Sequence, residues 1–162
     1  MKNIKLISPD YIGKVEIVRH ASRGIIIKDN KILLGYETKE DQYIIPGGGI
    51  ENNESIEECL IREIKEETGI IIDNHIYYLE IEELFLNMKH INHYFFVDIK
   101  EETNELSLTD LEIEHELTTK WLDFNEAIKI FSSYELYKNI NIPKYGLYRR
   151  ELIALMEYLD IR

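Results

Sequence analysis

The segment 55-SIEECLIREIKEETG-69 constrains the fold more than any other part of the chain. Ser55 with Glu58 three residues on has the form of a capping box and Gly69 supplies a stop, so the spacing predicts a helix over 55–69. On a wheel of roughly 100° per residue, Ile56, Leu60 and Ile64 make a narrow apolar stripe, with Glu63 and Glu67 along its edge and Glu66 a little further round. Like charges at this spacing destabilise a helix by roughly 0.2–0.5 kcal/mol per pair, and the last turns are where the dipole favours cations. Carboxylates at the border of a buried face are costly or become protonated unless something compensates them. Hard divalent cations such as Mg²⁺ and Mn²⁺ compensate them and keep positions open for substrate phosphates. Immediately upstream, 46-PGGG-49 leaves the backbone unhindered, able to bring carbonyl and N–H groups close to a ligand or metal.

Around this segment the pattern is mixed. Residues 15–27 and 31–37 read as strands joined by a 28-KDN-30 hairpin, and Tyr43–Ile45 is a short apolar run ending at Pro46. Ile76–Phe85, Ile91–Ile99 and Thr119–Leu122 read as further strands. Asp123–Ser132 and Gly146–Ile161 read as helices, the latter with Leu152, Leu155, Met156 and Leu159 on one stripe. Strands interleaved with helices predict an α/β fold, a sheet covered on its faces by helices. At 162 residues, with no repeat or low-complexity linker, one domain over 1–162 is expected.

The net charge of −12 argues against a nucleic-acid polymer as partner, because such binding needs a basic surface. It leaves room for a small polyphosphate bridged to the protein by divalent cations. No apolar run approaches the ~18 residues of a membrane span, and the amino terminus lacks a signal-peptide core. A cytoplasmic protein with no membrane partner is therefore the expectation. The single cysteine, Cys59, agrees with a reducing compartment and reads as a small core residue.

Residues 48–70 resemble the Nudix box, G-x5-E-x7-R-E-U-x-E-E-x-G-U with U a bulky aliphatic. Gly48, Glu54, Arg62, Glu63, Ile64, Glu66, Glu67, Gly69 and Ile70 each fill their place without departure. The resemblance implies a Nudix fold, an α/β/α sandwich with a mixed β-sheet and the box as loop, helix and loop. It also implies Mg²⁺- or Mn²⁺-dependent hydrolysis of a nucleoside diphosphate linked to another moiety. By position, Glu63, Glu66 and Glu67 would be metal ligands together with the carbonyl of Gly47. Arg62 would orient the glutamates, and Glu54 would assist through it or through a water. The general base would be a box glutamate or an acid in the loop before the last strand, where Glu112, Glu114 and Glu116 stand ahead of Trp121; Glu116 is favoured.

For the substrate, Arg19 and Arg23 are candidates to hold a phosphate or base, Tyr36 and Tyr43 to stack on a base, and Gly48 to let the ligand approach. His90 and His93 are candidate substrate contacts rather than ligands, since oxygen-preferring metals do not need them. Some ADP-ribose-hydrolysing relatives carry a proline about fifteen residues past the box, and some dinucleoside polyphosphate relatives a tyrosine nearby. This chain has no proline between Pro46 and Pro143, and Phe85 stands near the tyrosine position. Nucleoside triphosphates, oxidised ones included, are therefore favoured over nucleotide sugars, ADP-ribose and dinucleoside polyphosphates. A lapsed domain serving as a nucleotide sensor is the alternative to an enzyme, and a homodimer is compatible with either.

Overall fold

A computed structural model describes all residues 1–162. Eight strands run in the order β1 (Lys2–Ile7), β2 (Ile17–Lys28), β3 (Lys31–Glu37), β4 (Gln42–Ile44), β5 (Gly47–Gly49), β6 (Ile70–Phe85), β7 (Met88–Glu102) and β8 (Leu117–Asp123). The helices are α1 (Ile56–Thr68), α2 (Asp110–Glu114), α3 (Phe124–Ser132) and α4 (Ile142–Ile161), with a 3₁₀ turn at Ser133–Tyr137 between the last two. The sheet is mixed. Its path is β1-β6-β7-β2-β3-β4, with β5 added to β2 and β8 to β3, and the β1–β6 and β2–β7 pairs are parallel while the others are antiparallel.

Alternation along the central strands assigns the two faces. Ile26, Leu33, Phe95 and Val97 point to one side, where Leu60 and Ile64 of α1 and Ile70 cover them. Their neighbours Ile25, Ile32, Leu34 and Tyr94 point to the other, against Phe124, Ala127 and Phe131 of α3 and Tyr148, Ala154 and Leu155 of α4. Residues 21–26 are consecutively buried because β2 is covered on both faces. The result is the expected α/β/α sandwich.

The boundaries follow local chemistry. Ser55 accepts from the Glu58 N–H and the Glu58 side chain accepts from the Ser55 N–H, completing the capping box of α1. Gly69 ends α1 at φ 74°; a Cβ there would lie 2.4 Å from the Thr103 carbonyl oxygen, so glycine is required. The β2–β3 turn takes positive φ at both Asp29 and Asn30, as a two-residue primed hairpin demands.

Several elements differ from expectation. β6 begins directly after Gly69, β7 extends to Glu102, and β1 and α2 join the set. The strand β1 is half polar and gains its place by parallel pairing with β6 rather than from its own pattern. α4 starts at Ile142, not Gly146, because the Asn141 side chain accepts from the Lys144 N–H and Pro143 is tolerated in the first turn. Its buried stripe is Tyr145, Tyr148, Glu151 and Ala154–Leu155, whereas Met156 and Leu159 are exposed. Glu151 belongs to the core face because its carboxylate is fully hydrogen-bonded, which a count of apolar residues does not anticipate. No helix is long and apolar enough to cross a membrane.

Replacing Ser55 by alanine removes the acceptor for the Glu58 N–H and is expected to lower stability by about 1 kcal/mol. Urea unfolding of the metal-free protein measures it, with an unchanged slope and a lower midpoint as the expected result.

Candidate active site

The site begins at β5, where Gly47, Gly48 and Gly49 pair with Arg23, Ser22 and Ala21 of β2. Gly47 has φ 150°, and a Cβ there would stand 2.0 Å from the Ser22 carbonyl oxygen. A Cβ on Gly48 would stand 2.5 Å from the Glu63 carboxyl carbon. The glycines therefore exist so that α1 can set its carboxylates directly against backbone. Glu67 Oε2 accepts from the Gly47 N–H at 3.1 Å. The Cys59 thiol donates to the Gly48 carbonyl at 3.3 Å and the Ser22 hydroxyl to the Ile56 carbonyl at 2.7 Å, which tie loop, helix and strand together. Burial pushes the Cys59 thiol up to about 11 and keeps it protonated as a donor.

Carboxylate oxygens of Glu63, Glu67 and Glu112 lie within 4.8 Å of one another. Glu63 and Glu67 come from the buried edge of α1, and Glu112 comes from α2. The chain between Thr103 and α2 is anchored on the end of α1: the Thr103 N–H and hydroxyl donate to the Gly69 carbonyl and the Ser107 N–H donates to the Glu66 carbonyl. Thr109 and Glu112 then form a second capping box that holds Glu112 over the pair. Burial raises the carboxyl of Glu63, opposed by Arg62. Burial raises that of Glu67 well above the usual carboxylate range, and the neighbouring Glu112 adds to it.

Arg62 is the only cation joined to this cluster by an ion pair. It donates to Glu54 at 3.0 and 2.5 Å, to Glu63 at 2.7 Å, to Glu66 at 3.2 Å and to the Gly49 carbonyl at 3.1 Å. Its hydrogen bonds hold the Glu54 carboxyl down at about 2, so Glu54 is a fixed anion orienting the guanidinium. Glu67 has no such partner. A buried carboxylate with one backbone hydrogen bond and two acidic neighbours needs a cation or a proton, and the donors converging here are all hard oxygens suited to Mg²⁺ or Mn²⁺.

The structure redistributes the other candidates. Glu66 sits at the rim in the grip of Arg62, and Glu112 completes the trio in its stead. Glu116 is exposed, at φ 55°, and its carbonyl accepts from Thr38, so it lies outside the trio. The Thr109-x-x-Glu112 capping signature distinguishes Glu112 from its acidic neighbours and was legible in the sequence. Arg19 is exposed on β2 with its guanidinium beside Gly49. Arg23, by contrast, is buried: it donates to Asn92 Oδ1 at 2.9 Å and to the Ile45 carbonyl at 3.1 Å. Tyr36 and Tyr43 pack ring against ring in a tilted pair, centroids 4.7 Å apart, across the β3–β4 pair, with Asp41, Lys120 and Tyr148 as partners rather than the acids. His93 is bridged to His20 at 3.0 Å and to the Tyr77 hydroxyl at 2.7 Å. Neither His93 nor His90 joins the trio.

The sequence profile of the NUDIX domain matches residues 18–141. The chain belongs to the Nudix family. A relative described as an ADP-ribose pyrophosphatase of Methanocaldococcus jannaschii is 43% identical over 74 residues, which are 41% of this chain and 43% of that protein. An uncharacterised Nudix hydrolase, YvcI of Bacillus subtilis, is 40% identical over 57 residues, 35% of this chain and 36% of that protein. The chain thus matches less than half the length of either relative. Among solved structures, a NUDIX hydrolase from Nitrosomonas europaea aligns with a TM-score of 0.59 at 18% identity, over 70% of this chain and 78% of that one. The solution structure of the E. coli ORF135 protein aligns with a TM-score of 0.55 at 21% identity, over 83% and 90% respectively. These likenesses show that the fold is the Nudix fold.

A carboxyl raised in the folded state binds its proton more tightly there than when unfolded. Its contribution to stability is complete below the ordinary carboxyl range and is lost as pH climbs through the raised value. Glu67→Gln keeps an acceptor for the Gly47 N–H and removes the charge. Metal-free melting curves should therefore show the variant gaining on the natural protein as pH rises from 4.5 to 8. A variant that melts lower at pH 8 would mean that the Glu67 carboxylate has stabilising partners in the metal-free protein.

Proposed function

We propose that this protein hydrolyses the pyrophosphate linkage of a nucleoside diphosphate joined to another moiety. The observation that carries the reading is the convergence of Glu63, Glu67 and Glu112 on the glycine strand. Glu63, Glu67 and the Gly47 carbonyl are the groups that would hold Mg²⁺ or Mn²⁺, with Glu66 at the rim for a further ion. Bound there, the cation supplies charge neutralisation at the diphosphate and acidifies water. The chain's own residues do the rest. The bare backbone of Gly47–Gly49 lets phosphate oxygens approach without a side chain between. Arg62, fixed by Glu54, keeps Glu63 and Glu66 apart and aimed. Glu112, the least buried of the trio, accepts a proton from the attacking water as its oxygen bonds to phosphorus and the bridging oxygen leaves with the other phosphate. This role falls to Glu112 rather than Glu116 because only Glu112 reaches the cluster.

A nucleoside triphosphate, cleaved to the monophosphate and pyrophosphate, is the first substrate reading. ADP-ribose is the second, favoured by the description of the M. jannaschii relative. The intact set of acids favours an enzyme over a lapsed nucleotide sensor.

Phosphate or pyrophosphate release should be measured with Mg²⁺ and Mn²⁺ on nucleoside triphosphates, ADP-ribose, nucleotide sugars and dinucleoside polyphosphates. Glu67→Gln is expected to lower kcat at least about a hundredfold, since cation chemistry contributes several kcal/mol to such barriers. Arg62→Met should cost about 10- to 100-fold through misplaced carboxylates. No turnover on any substrate, with nucleotide binding indifferent to both substitutions, would leave the sensor reading standing instead.

A further inference from the structure

Past Ile27 and Ile32 the two strands of the β2–β3 hairpin part: β3 goes on to pair with β4, and β2 with β5. Residues 42–49 fill the opening, first along β3 and then along β2. β4 has β3 as its one strand partner, so the N–H and C=O groups that alternate along its other edge must be satisfied elsewhere. They are satisfied by α4. Lys144 Nζ donates to the Asp41 carbonyl at 2.8 Å, the Tyr43 N–H donates to the Tyr148 hydroxyl at 3.1 Å, and the Ile45 N–H donates to Glu151 Oε2 at 2.6 Å.

Residues two apart on the strand thus meet residues four and three apart on the helix, in the same order. At ~1.5 Å rise per helical residue the helix steps are about 6 and 4.5 Å, against about 6.6 Å for each pair of strand residues. Side chains of these lengths absorb the difference, and α4 stands in for a missing strand. Each rung is itself held. Lys144 is only 8% exposed, gives its ammonium to backbone rather than to a carboxylate, and lies 4.4 Å from the centre of the Tyr137 ring. The carbonyl it holds belongs to a residue at φ 47°, a conformation that side-chain-bearing residues seldom adopt without local support. Tyr148 meets Phe131 and Tyr137 edge to face. Glu151 is fully buried and also accepts from Tyr94 and Arg150.

We infer that Lys144, Tyr148 and Glu151 are positioning residues for the acidic centre: this ladder sets the path of residues 41–45 and, through it, the place of the Gly47 backbone against Glu67. The inference rests on the hydrolase reading for the use made of the Gly47 carbonyl. Transmission is short. The Ile45 carbonyl accepts from Arg23 and the Pro46 carbonyl from the Gly24 N–H at 3.0 Å, so the peptides between the last rung and Gly47 are held as well. Gly47 then donates to Glu67 Oε2 at 3.1 Å. Covering an edge strand against stray pairing requires no more than a helix or loop laid over it. Three directed bonds that end two residues before Gly47 also fix where the strand stands along its own axis.

The test sets Tyr148→Phe and Lys144→Met against Tyr78→Phe. Tyr78 also gives a hydroxyl to α4, at 2.8 Å from the Ala154 carbonyl, but its bond goes to the helix backbone and not to β4. Melting temperature, hydrogen exchange of the Tyr43 and Ile45 amides in the metal-free protein, Mn²⁺ affinity by electron paramagnetic resonance, and kcat and KM on a nucleotide that is turned over are compared. Both ladder variants should speed exchange at the two amides, weaken Mn²⁺ binding about tenfold, and lower kcat by about as much with KM unchanged. Tyr78→Phe should lower the melting temperature alone. Natural Mn²⁺ affinity in both ladder variants, or an equal loss in Tyr78→Phe, overturns the inference and leaves α4 a structural cover. Exchange and Mn²⁺ binding need no turnover, which separates the two readings. Weakened Mn²⁺ binding in the ladder variants of a protein that cleaves nothing defeats the hydrolase reading and leaves the positioning role in place. Turnover and Mn²⁺ affinity untouched in both ladder variants defeat the positioning role alone, and a natural protein that binds no Mn²⁺ defeats both.

Discussion

The contact between the Glu63 carboxylate and the backbone of Gly48 is the constraint on which the site depends. It demands a residue without Cβ at 48, and it demands that α1 approach β5 at side-chain range along its carboxylate edge. The apolar stripe Leu60–Ile64 sets that distance by packing on Ile26 and Phe95. The hydrophobic core of one face thus determines where two buried acids stand, and the fold spends core stability on charge placement. Arg62 moderates the cost by neutralising the outer side of the cluster, and leaves the Glu67 side without a cation of the protein's own.

A second polar system supports the loop from beneath. Ile45, two residues before Gly47, is held at both ends of its backbone: its N–H donates to Glu151 Oε2 at 2.6 Å and its carbonyl accepts from Arg23. From there the bonds continue through Asn92, Glu83 and Arg150 and return to Glu151, which also accepts from the Tyr94 hydroxyl. Nearly every member is buried and paired, the condition under which such networks rigidify a structure. The outlying Nη2 nitrogen of Arg150, buried and without a partner, is the exception.

Much of this was legible in the sequence. The helix 55–69, its caps, the β2–β3 hairpin and the two-faced sheet follow from periodicity and turn chemistry, and the nine box positions pointed to the fold directly. What escaped was whatever depends on partners distant in the chain. Arg23 reads as an exposed strand arginine until Asn92 and Ile45 are brought to it, and Glu151 as a solvent residue until Tyr94 and Arg150 enclose it. β1 has too little pattern of its own to be seen apart from β6. Glu112 and Glu116 are chemically identical in the sequence, and only the Thr109 cap distinguishes the one that turns inward.

The Glu151 contact has a consequence for the order in which the centre assembles. Every acid of the cluster lies within the first 112 residues, yet the peptide that precedes the glycine strand is clamped by a side chain of the last helix. A chain growing from its amino terminus has all its acids in hand well before the support that fixes their backbone partner. The backbone that the acids face therefore takes its final support from α4 docking across the far side of the sheet.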